Sequence, residues 1–220
     1  MKIAVIGASG TMGIATVKEL ADRKHQVTAM ARNVDRVPSA VNVKRLAVDI
    51  FSEDFRGKLQ DFDAVISTFA PNFLTTENSA QVLTQGFEVM LNEAKQSQVP
   101  YFLLVGGCAS LYLENGKQLI SQFDPHSPYY AAADASRLYL NEKILPRRDV
   151  NWAFIAPPVM YAVNPVHYER SGQYQLGTNK VMYDKQGNPA DISVADMACA
   201  LADDVERKAH LFQHFTVAGK

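Results

Sequence analysis

The sequence predicts an α/β fold with a doubly wound parallel sheet and a small C-terminal lobe. Short apolar runs, typical of parallel strands buried on both faces, alternate with segments of helical periodicity along the chain. A glycine-rich turn at residues 7–13 lies between the first apolar run, residues 2–6, and the first helical segment. A sheet of this class binds its ligand at the carboxyl ends of its strands, beside the first strand.

The elements are predicted in order along the chain. Strands are predicted at residues 2–6, 26–31, 43–48, 63–67, 101–105, 152–155 and 211–217. Helices are predicted directly after the glycine turn and at residues 51–59, 78–97, 131–145 and 193–205. Residues 111–128 contain glycine, proline and polar breaks and read as a loop over the site, and residues 172–184 read as a small hairpin pair. We expect a single domain over residues 1–220, with residues 157–195 contributing the lobe, which would bind the substrate.

The composition is that of an ordinary globular protein. A formal net charge of −1 implies no general attraction to nucleic acid or to an anionic membrane. No apolar run approaches the roughly 18 residues that span a bilayer, and a strand starting at Lys2 leaves no room for a signal peptide. Cys108 and Cys199 are far apart, without metal-type spacing. We therefore expect a cytoplasmic protein with reduced thiols and no metal site.

The glycine turn has the chemistry of a phosphate cradle. Glycines permit a tight turn and a close approach of a pyrophosphate, whose charge is met by the free amides at the start of the following helix. A turn that served only packing would account for one of these glycines but not for all of them. The residues predicted to hold the pyrophosphate are Gly7, Ser9, Gly10, Thr11, Met12 and Gly13.

The end of the second strand predicts which nucleotide is bound. An acidic residue there binds the ribose of NAD, whereas an arginine accommodates the 2′-phosphate of NADP. The chain has Arg32 at this point and no carboxylate before Asp35, which favours NADPH as the nucleotide. The alternative is that Arg32 is a solvated surface residue that binds no phosphate. Asp49 is a candidate acceptor for the adenine amino group or a cap of the next helix. Phe69 and Ala70 are expected to line the nucleotide, and Pro157 to shape the nicotinamide pocket.

The order of these motifs resembles the atypical short-chain dehydrogenase/reductase superfamily, in its branch of proposed NAD(P)H-flavin reductases. That branch is similar to biliverdin-IX-beta/flavin reductase and to nitrogen-metabolite-repression regulator-like proteins. The motifs span almost the whole chain: Gly7-x-x-Gly10-x-x-Gly13, Ala31-Arg32-Asn33, Leu104-Val105-Gly106-Gly107-x-x-Ser110, Ala156-Pro157-Pro158, Ser171-Gly172-Gln173-Tyr174 and Ile192-Ser193-Val194-Ala195-Asp196. The resemblance implies a Rossmann fold and a nicotinamide cofactor. Val159 follows Pro157-Pro158 where the biliverdin reductase relatives carry a histidine, which puts that substrate in doubt.

One departure from the superfamily concerns the chemistry. Its catalytic members carry Tyr-x-x-x-Lys on the helix after the fifth strand, where the lysine favours the phenolate. Here Tyr129 is followed by Ala133 and Tyr130 by Asp134, and a carboxylate one turn away disfavours the phenolate. Because a positioned proton donor contributes about 10²–10⁴-fold, efficient carbonyl reduction by the usual mechanism is not expected.

A flavin does not need that donor. Its ring accepts hydride at its own nitrogen, and solvent supplies the proton, so the protein need only stack the ring against the nicotinamide. The sequence thus predicts an NADPH-dependent reductase of a planar acceptor, with FMN or FAD as candidate substrates and a homodimer left open. A non-catalytic NADP(H) sensor is the alternative. An epimerase on the same fold has no acid–base pair here to support it.

Ser110 and Tyr130 are the candidate catalytic residues. Ser110 lies just past the fifth strand, where the superfamily places its active-site serine or threonine, and it is also a candidate turn cap. Tyr130, with Tyr112 and Tyr129, would form an aromatic wall for the acceptor or would serve packing. His126 and His167 fall in predicted loops, where solvated histidines are typical. Ser193 and Asp196 are better read as a capping box than as a catalytic pair.

Overall fold

The computed structural model describes residues 1–161 and 166–220. Within them, one eight-stranded sheet has the strand order β3-β2-β1-β4-β5-β6-β8-β7. The strands are β1 Lys2–Ile6, β2 Gln26–Ala31, β3 Val43–Ala47, β4 Ala64–Ser67, β5 Phe102–Val105, β6 Trp152–Ala156, β7 Tyr174–Gly177 and β8 His214–Gly219. The helices are α1 Thr11–Asp22, α2 Ser79–Gln96, α3 Tyr130–Tyr139 and α4 Val194–Arg207. The predicted doubly wound α/β fold is confirmed.

The sheet is parallel from β3 to β8, and its order reverses beside β1. Strand β1 lies between β2 and β4, so the two halves of the sheet wind outward from this point. The carboxyl ends of β1, β4, β5 and β6 therefore meet at one edge, above which such sheets bind their ligands.

Strand β7 differs from the sequence prediction. Residues 172–184 were expected to form a local hairpin pair, but β7 pairs antiparallel with β8, residue Tyr174 opposite Gly219. The local bridge in this region joins Tyr183 to Pro189 instead. The pairing is long-range because β8 offers a free edge with buried apolar side chains, which a short local hairpin cannot match.

Two hydrophobic layers cover the two faces of the sheet. On one face, Val17 and Leu20 of α1 pack with Met197 and Leu201 of α4. On the other face, a second cluster joins α2 and α3 to the sheet and includes Leu83, Phe87, Met90, Phe102 and Trp152. Burying each large side chain contributes about 1.5–3 kcal/mol, and these layers hold the strand ends in fixed positions.

Two predicted helices have different extents. The one expected at residues 51–59 is only a turn of 3₁₀ helix, Glu53–Phe55. Gly57 follows with φ of +71°, a left-handed conformation that ends the helix, and its N–H donates to the buried Glu93. The helix expected at 131–145 comprises α3 and a π-helical turn, Leu140–Ile144.

Polar contacts fasten the segment before β7 to α1 and α4. Arg170 makes two hydrogen bonds to Glu19, and these bonds, with Arg23, lower the pKa of the buried Glu19 carboxyl to about 2. Asp196 accepts from the N–H groups of Ser171 and Gly172. Asp196 also donates its own N–H to Ser193 Oγ, which confirms Ser193 as the cap of α4. Among the described residues, the helices are too short or too polar to cross a membrane.

Candidate nucleotide and acceptor site

The glycine turn is built around close backbone contacts. Gly7 adopts φ of +80°, and a Cβ there would lie 2.8 Å from the carbonyl carbon of Thr68 at the end of β4. A Cβ on Gly13 would lie 2.2 Å from the carbonyl oxygen of Gly7, so α1 can approach the turn only if this residue is glycine. A Cβ on Gly10 would meet only the Gly7 oxygen, at 3.4 Å, which leaves the outer side of the turn open.

The start of α1 offers unused hydrogen-bond donors. The N-cap residue of α1 is Gly10, which has no side chain that could cap the helix. In the described part of the chain, no acidic residue lies in the first turn of α1. Nor do the N–H groups of Thr11, Met12 and Gly13 donate to a backbone acceptor there. Gly10 and Thr11 are exposed, while Ser9 and Met12 are partly buried. Free amides and the positive end of a helix dipole fit a pyrophosphate.

Arg32 lies beside this turn. The carbonyl of Met30 accepts from the N–H groups of Gly7 and Ala8, which places the end of β2 against the turn. Arg32 follows two residues later and is exposed, with no ion-pair partner among residues 1–161 and 166–220. Asn33 accepts from the N–H of Asp35, so the neighbouring polar groups satisfy each other. An unpaired guanidinium next to a phosphate cradle can bind a further phosphate.

The neighbouring edge offers contacts for an adenine ring. Asp49 lies just past β3, and its Oδ1 caps the turn by accepting from the N–H of Phe51. The second carboxylate oxygen has no partner among the described residues, so both predicted roles of Asp49 are compatible with the geometry. The ring of Phe69 meets that of Phe51 edge to face at 6.1 Å, and Ala70 beside it is exposed.

Phe69 also explains a glycine inside α2. A Cβ on Gly86 would lie 2.3 Å from Cε1 of Phe69, so the ring lies directly against the helix backbone. A helical glycine costs about 1 kcal/mol relative to alanine, and here it makes room for the ring. The position of Phe69 is thereby fixed by α2.

Ser110 is enclosed within the protein. It is 1% exposed and lies in a short 3₁₀ helix, Cys108–Ser110, beyond the end of β5. Its hydroxyl donates to the carbonyl of Gly107 at 2.9 Å and lies 3.2 Å from Nε2 of His214. Direct contact of Ser110 with a nicotinamide or an acceptor stays a prediction.

His214 was not identified from the sequence. It begins β8, its ring packs edge to face on Phe154, and burial lowers its pKa to about 4. The imidazole is therefore neutral near neutral pH. Its partner Ser110 is 104 positions away in the chain, and no local spacing signals such a pair.

Tyr130 is the first residue of α3 and is partly buried. Asp134, one turn later, is bound to Arg137, whose Nη2 lies 2.6 Å from the carboxylate. Arg137 also donates to Gln118, which donates to the carbonyl of Ser110. Asp134 thus belongs to a polar chain that ties α3 to the loop after β5.

Two aromatic rings lie in contact at the start of α3. Tyr129 is 48% exposed and meets the ring of Phe73 edge to face at 6.3 Å. Phe73 lies in the loop after β4 and Tyr129 directly precedes α3, so the contact of their rings joins these two segments. Tyr112 is held differently, by backbone bonds to Asn179 and Val181, in a bridge between two distant loops.

The loop after β6 completes the edge. Pro157 follows Ala156 directly and is buried, and its role in the nicotinamide pocket stays a prediction. His126 is exposed, whereas Nε2 of His167 lies 3.2 Å from Oδ2 of Asp191. The predicted lobe contains residues 162–165, which lie outside the described residues.

Besides His214, three residues at this edge are not among the site residues predicted from the sequence. Thr68 donates its hydroxyl to the carbonyls of Ile6 or Gly7 and so supports the glycine turn. Phe51 and Phe73 are aromatic residues that follow the ends of β3 and β4. Aromatic residues in the loops that follow strand ends are the signal that could have found Phe51 and Phe73.

The comparisons with known proteins agree with this geometry. The protein YwnB of Bacillus subtilis (strain 168), whose activity is uncharacterised, is 31% identical over the whole of this chain and 99% of its own length. A proposed NADH-flavin reductase from Streptococcus pneumoniae has a TM-score of 0.84 at 28% identity, over the full length of both chains. A proposed epimerase from Bacteroides thetaiotaomicron has a TM-score of 0.86 at 28% identity, over 99% of this chain and 96% of its own.

A family model described as NAD(P)H-binding matches residues 7–207, which begin at the first glycine of the turn and end with the last residue of α4. It covers nearly all of the chain, the glycine turn and every strand end described above except those of β1 and β8. The chain belongs to the NAD(P)H-binding family.

Proposed function

We propose that the protein is an NADPH-dependent reductase that passes hydride to a flavin or a similar planar acceptor. The observation that carries the nucleotide half of this proposal is the uncapped start of α1 beside the unpaired Arg32. The free amides would hold the pyrophosphate, and Arg32 the 2′-phosphate. The similarity to a proposed NADH-flavin reductase supports the reaction class.

The exposed rings near α3 support a planar acceptor. Tyr129 and Phe73 form an aromatic surface at the start of α3, against which an acceptor would stack beside the nicotinamide end of the cofactor. Tyr130, next to them, would contact the acceptor ring with its face or hydroxyl. The wall would exclude water and hold an isoalloxazine such as that of FMN or FAD flat against the nicotinamide.

Bound NADPH would supply the hydride. The chain's own residues would contribute orientation, and holding two reactants in a near-attack geometry contributes about 7–11 kcal/mol. Ser110 would act by fixing the loop after β5 through Gly107 and His214, with Pro157 forming the opposite wall of the pocket. No lysine is available next to Tyr130, because Asp134 occupies that position and is bound to Arg137.

A two-stage experiment tests this function. Calorimetric titration with NADPH and NADH measures nucleotide binding, and oxidation of NADPH is then followed with FMN, FAD or a quinone as acceptor. We expect tighter binding of NADPH and oxidation faster than in a protein-free control. Tight binding without any accelerated turnover would contradict the reductase and would favour a nucleotide sensor.

A further inference from the structure

The histidine–aspartate pair His167–Asp191 lies at the carboxyl edge of the sheet and has no part in the function proposed above. Nε2 of His167 is 3.2 Å from Oδ2 of Asp191. The side chain of His167 is 50% exposed and that of Asp191 31%, so the pair is open to a small molecule. Nδ1 of His167 has no partner among residues 1–161 and 166–220 and is free to donate when both ring nitrogens carry a proton.

Backbone hydrogen bonds fix where this pair lies. The carbonyl of His167 accepts from Val194 at the start of α4, and the carbonyl of Asp191 accepts from Gly219 at the end of β8. The N–H of Met160, in the loop that begins at Pro157, donates to Ala190. The pair therefore lies at the edge that carries the glycine turn, beside the loop assigned to the nicotinamide pocket.

Tyr161 lies close to the His167–Asp191 pair. It packs on the buried cluster that also contacts Met12 of the glycine turn and Val105 at the end of β5. Burial raises its pKa, and the nearby charges of Tyr168 and Asp191 add to the effect. Asp191 and Tyr168 thus lie close to Tyr161, which belongs to the loop that begins at Pro157.

We propose that His167, oriented by Asp191, donates a proton to the oxygen of a planar quinone as that quinone is reduced. This proposal rests on the proposed reductase function and names a second acceptor class for it. A quinone differs from a flavin because the electrons it takes up collect on oxygen, where a positioned acid helps. Helix α3 supplies no Tyr-x-x-x-Lys pair for this purpose, whereas the loop after β6 supplies a histidine with a carboxylate partner.

The step balances with the cofactor and solvent. The quinone would take a hydride from bound NADPH on one of its oxygens, and the electron pair would shift through the ring so that the opposite C=O π bond opens onto the other oxygen. The N–H bond at Nδ1 of His167 breaks as an O–H bond forms, and solvent then returns a proton to Nδ1. NADPH is oxidised to NADP⁺ and the quinone is reduced to the hydroquinone. Asp191 accepts the Nε2–H throughout and keeps Nδ1 directed toward the acceptor.

Variants of His167 and Asp191 test the proposal with two acceptors, FMN and a planar quinone. His167→Ala removes the acid, Asp191→Asn removes its carboxylate partner, and His126→Ala is the matched control at another exposed loop histidine. Thermal unfolding and NADPH affinity, measured by calorimetry without acceptor, report whether the fold and the nucleotide site are intact. Free imidazole is then added to His167→Ala.

We expect His167→Ala to lower kcat for the quinone by about 10²-fold or more, the contribution of a positioned acid. FMN reduction, NADPH affinity and unfolding temperature should stay as in the wild type, and imidazole should restore part of the quinone rate. Asp191→Asn should give a smaller, equally quinone-specific loss, and His126→Ala none.

The failures of the two proposals are distinguishable. Unchanged quinone reduction in His167→Ala, or an equal loss with FMN, overturns the role of His167 and leaves the reductase standing. A wild-type protein that accelerates reduction of neither acceptor overturns both proposals.

Discussion

The hydroxyl oxygen of Ser110 and Nε2 of His214 lie 3.2 Å apart and join the loop after β5 to the first residue of β8. The contact is inside the protein, with Ser110 1% exposed and the His214 ring packed on Phe154. Since Ser110 lies in the loop after β5, this pair links the C-terminal strand to the loop that carries a candidate catalytic residue.

The pair should behave as a coupled unit in stability measurements. Ser110→Ala leaves Nε2 of His214 without a partner, which costs about 1–3 kcal/mol for a buried polar group. In a double-mutant cycle with His214→Phe, measured by urea denaturation, we expect a coupling energy of about 0.5–3 kcal/mol. Strictly additive effects would mean that the hydrogen bond contributes nothing.

His214 should also make stability depend on pH. Burial lowers its pKa from 6.5 to about 4, so between these values the unfolded chain binds a proton that the folded protein does not. The free energy of unfolding should therefore fall as the pH drops from 6.5 to 4, and His214→Phe should make this slope shallower. Denaturation at several pH values measures it. The exposed His126→Ala is the control, and an equal change of slope in that variant would argue against burial as the cause.

Arg32→Ala should separate the two nucleotides. Loss of charge-assisted hydrogen bonds to a 2′-phosphate costs about 1.5–3 kcal/mol, which corresponds to a Kd for NADPH weaker by roughly 10- to 150-fold. The Kd for NADH should barely change. Calorimetric titration measures the Kd of both nucleotides. The control is Arg36→Ala, at another exposed arginine of the same loop. Equal weakening for both nucleotides would refute the 2′-phosphate role.

Gly13→Ala should damage the glycine turn. Its Cβ would be 2.2 Å from the carbonyl oxygen of Gly7, so α1 and the turn must move apart. We expect a lower unfolding temperature, because overpacking lowers the free energy of unfolding by about 1–3 kcal/mol. We also expect the loss of detectable nucleotide binding. Gly107→Ala is the matched control, because a Cβ there meets nothing within 4 Å. A Gly13→Ala protein that binds NADPH normally would remove this turn from the proposed site.

The strands and the glycine turn could be predicted because each depends on local information. An apolar run such as Lys2–Ile6 has few alternatives to a buried strand, and glycines next to it specify a tight turn before a helix. The position of Arg32 beside the turn follows from the parallel pairing of β1 and β2, which the alternation of elements implies.

The errors come from contacts between residues that are distant in sequence. Strand β7 pairs with β8, some 40 residues later in the chain, and no local pattern favours that partner over a hairpin. The contact of Ser110 with His214 joins residues 104 positions apart, and the short helix near Phe55 ends because Gly57 turns toward Glu93. The Asp134–Arg137 ion pair could have been read from their spacing of three residues on a helix.

The contact between Phe69 and Gly86 makes the position of the Phe69 ring, at the proposed adenine side of the site, depend on the residue at position 86. A side chain at position 86 would push the ring of Phe69 away from α2, toward the space assigned to the nucleotide. Such a substitution would compete with the cofactor for volume without touching it, and its strength would follow the size of the new side chain. Nucleotide affinity would thereby be set in part by the residue at position 86, which acts through the ring of Phe69.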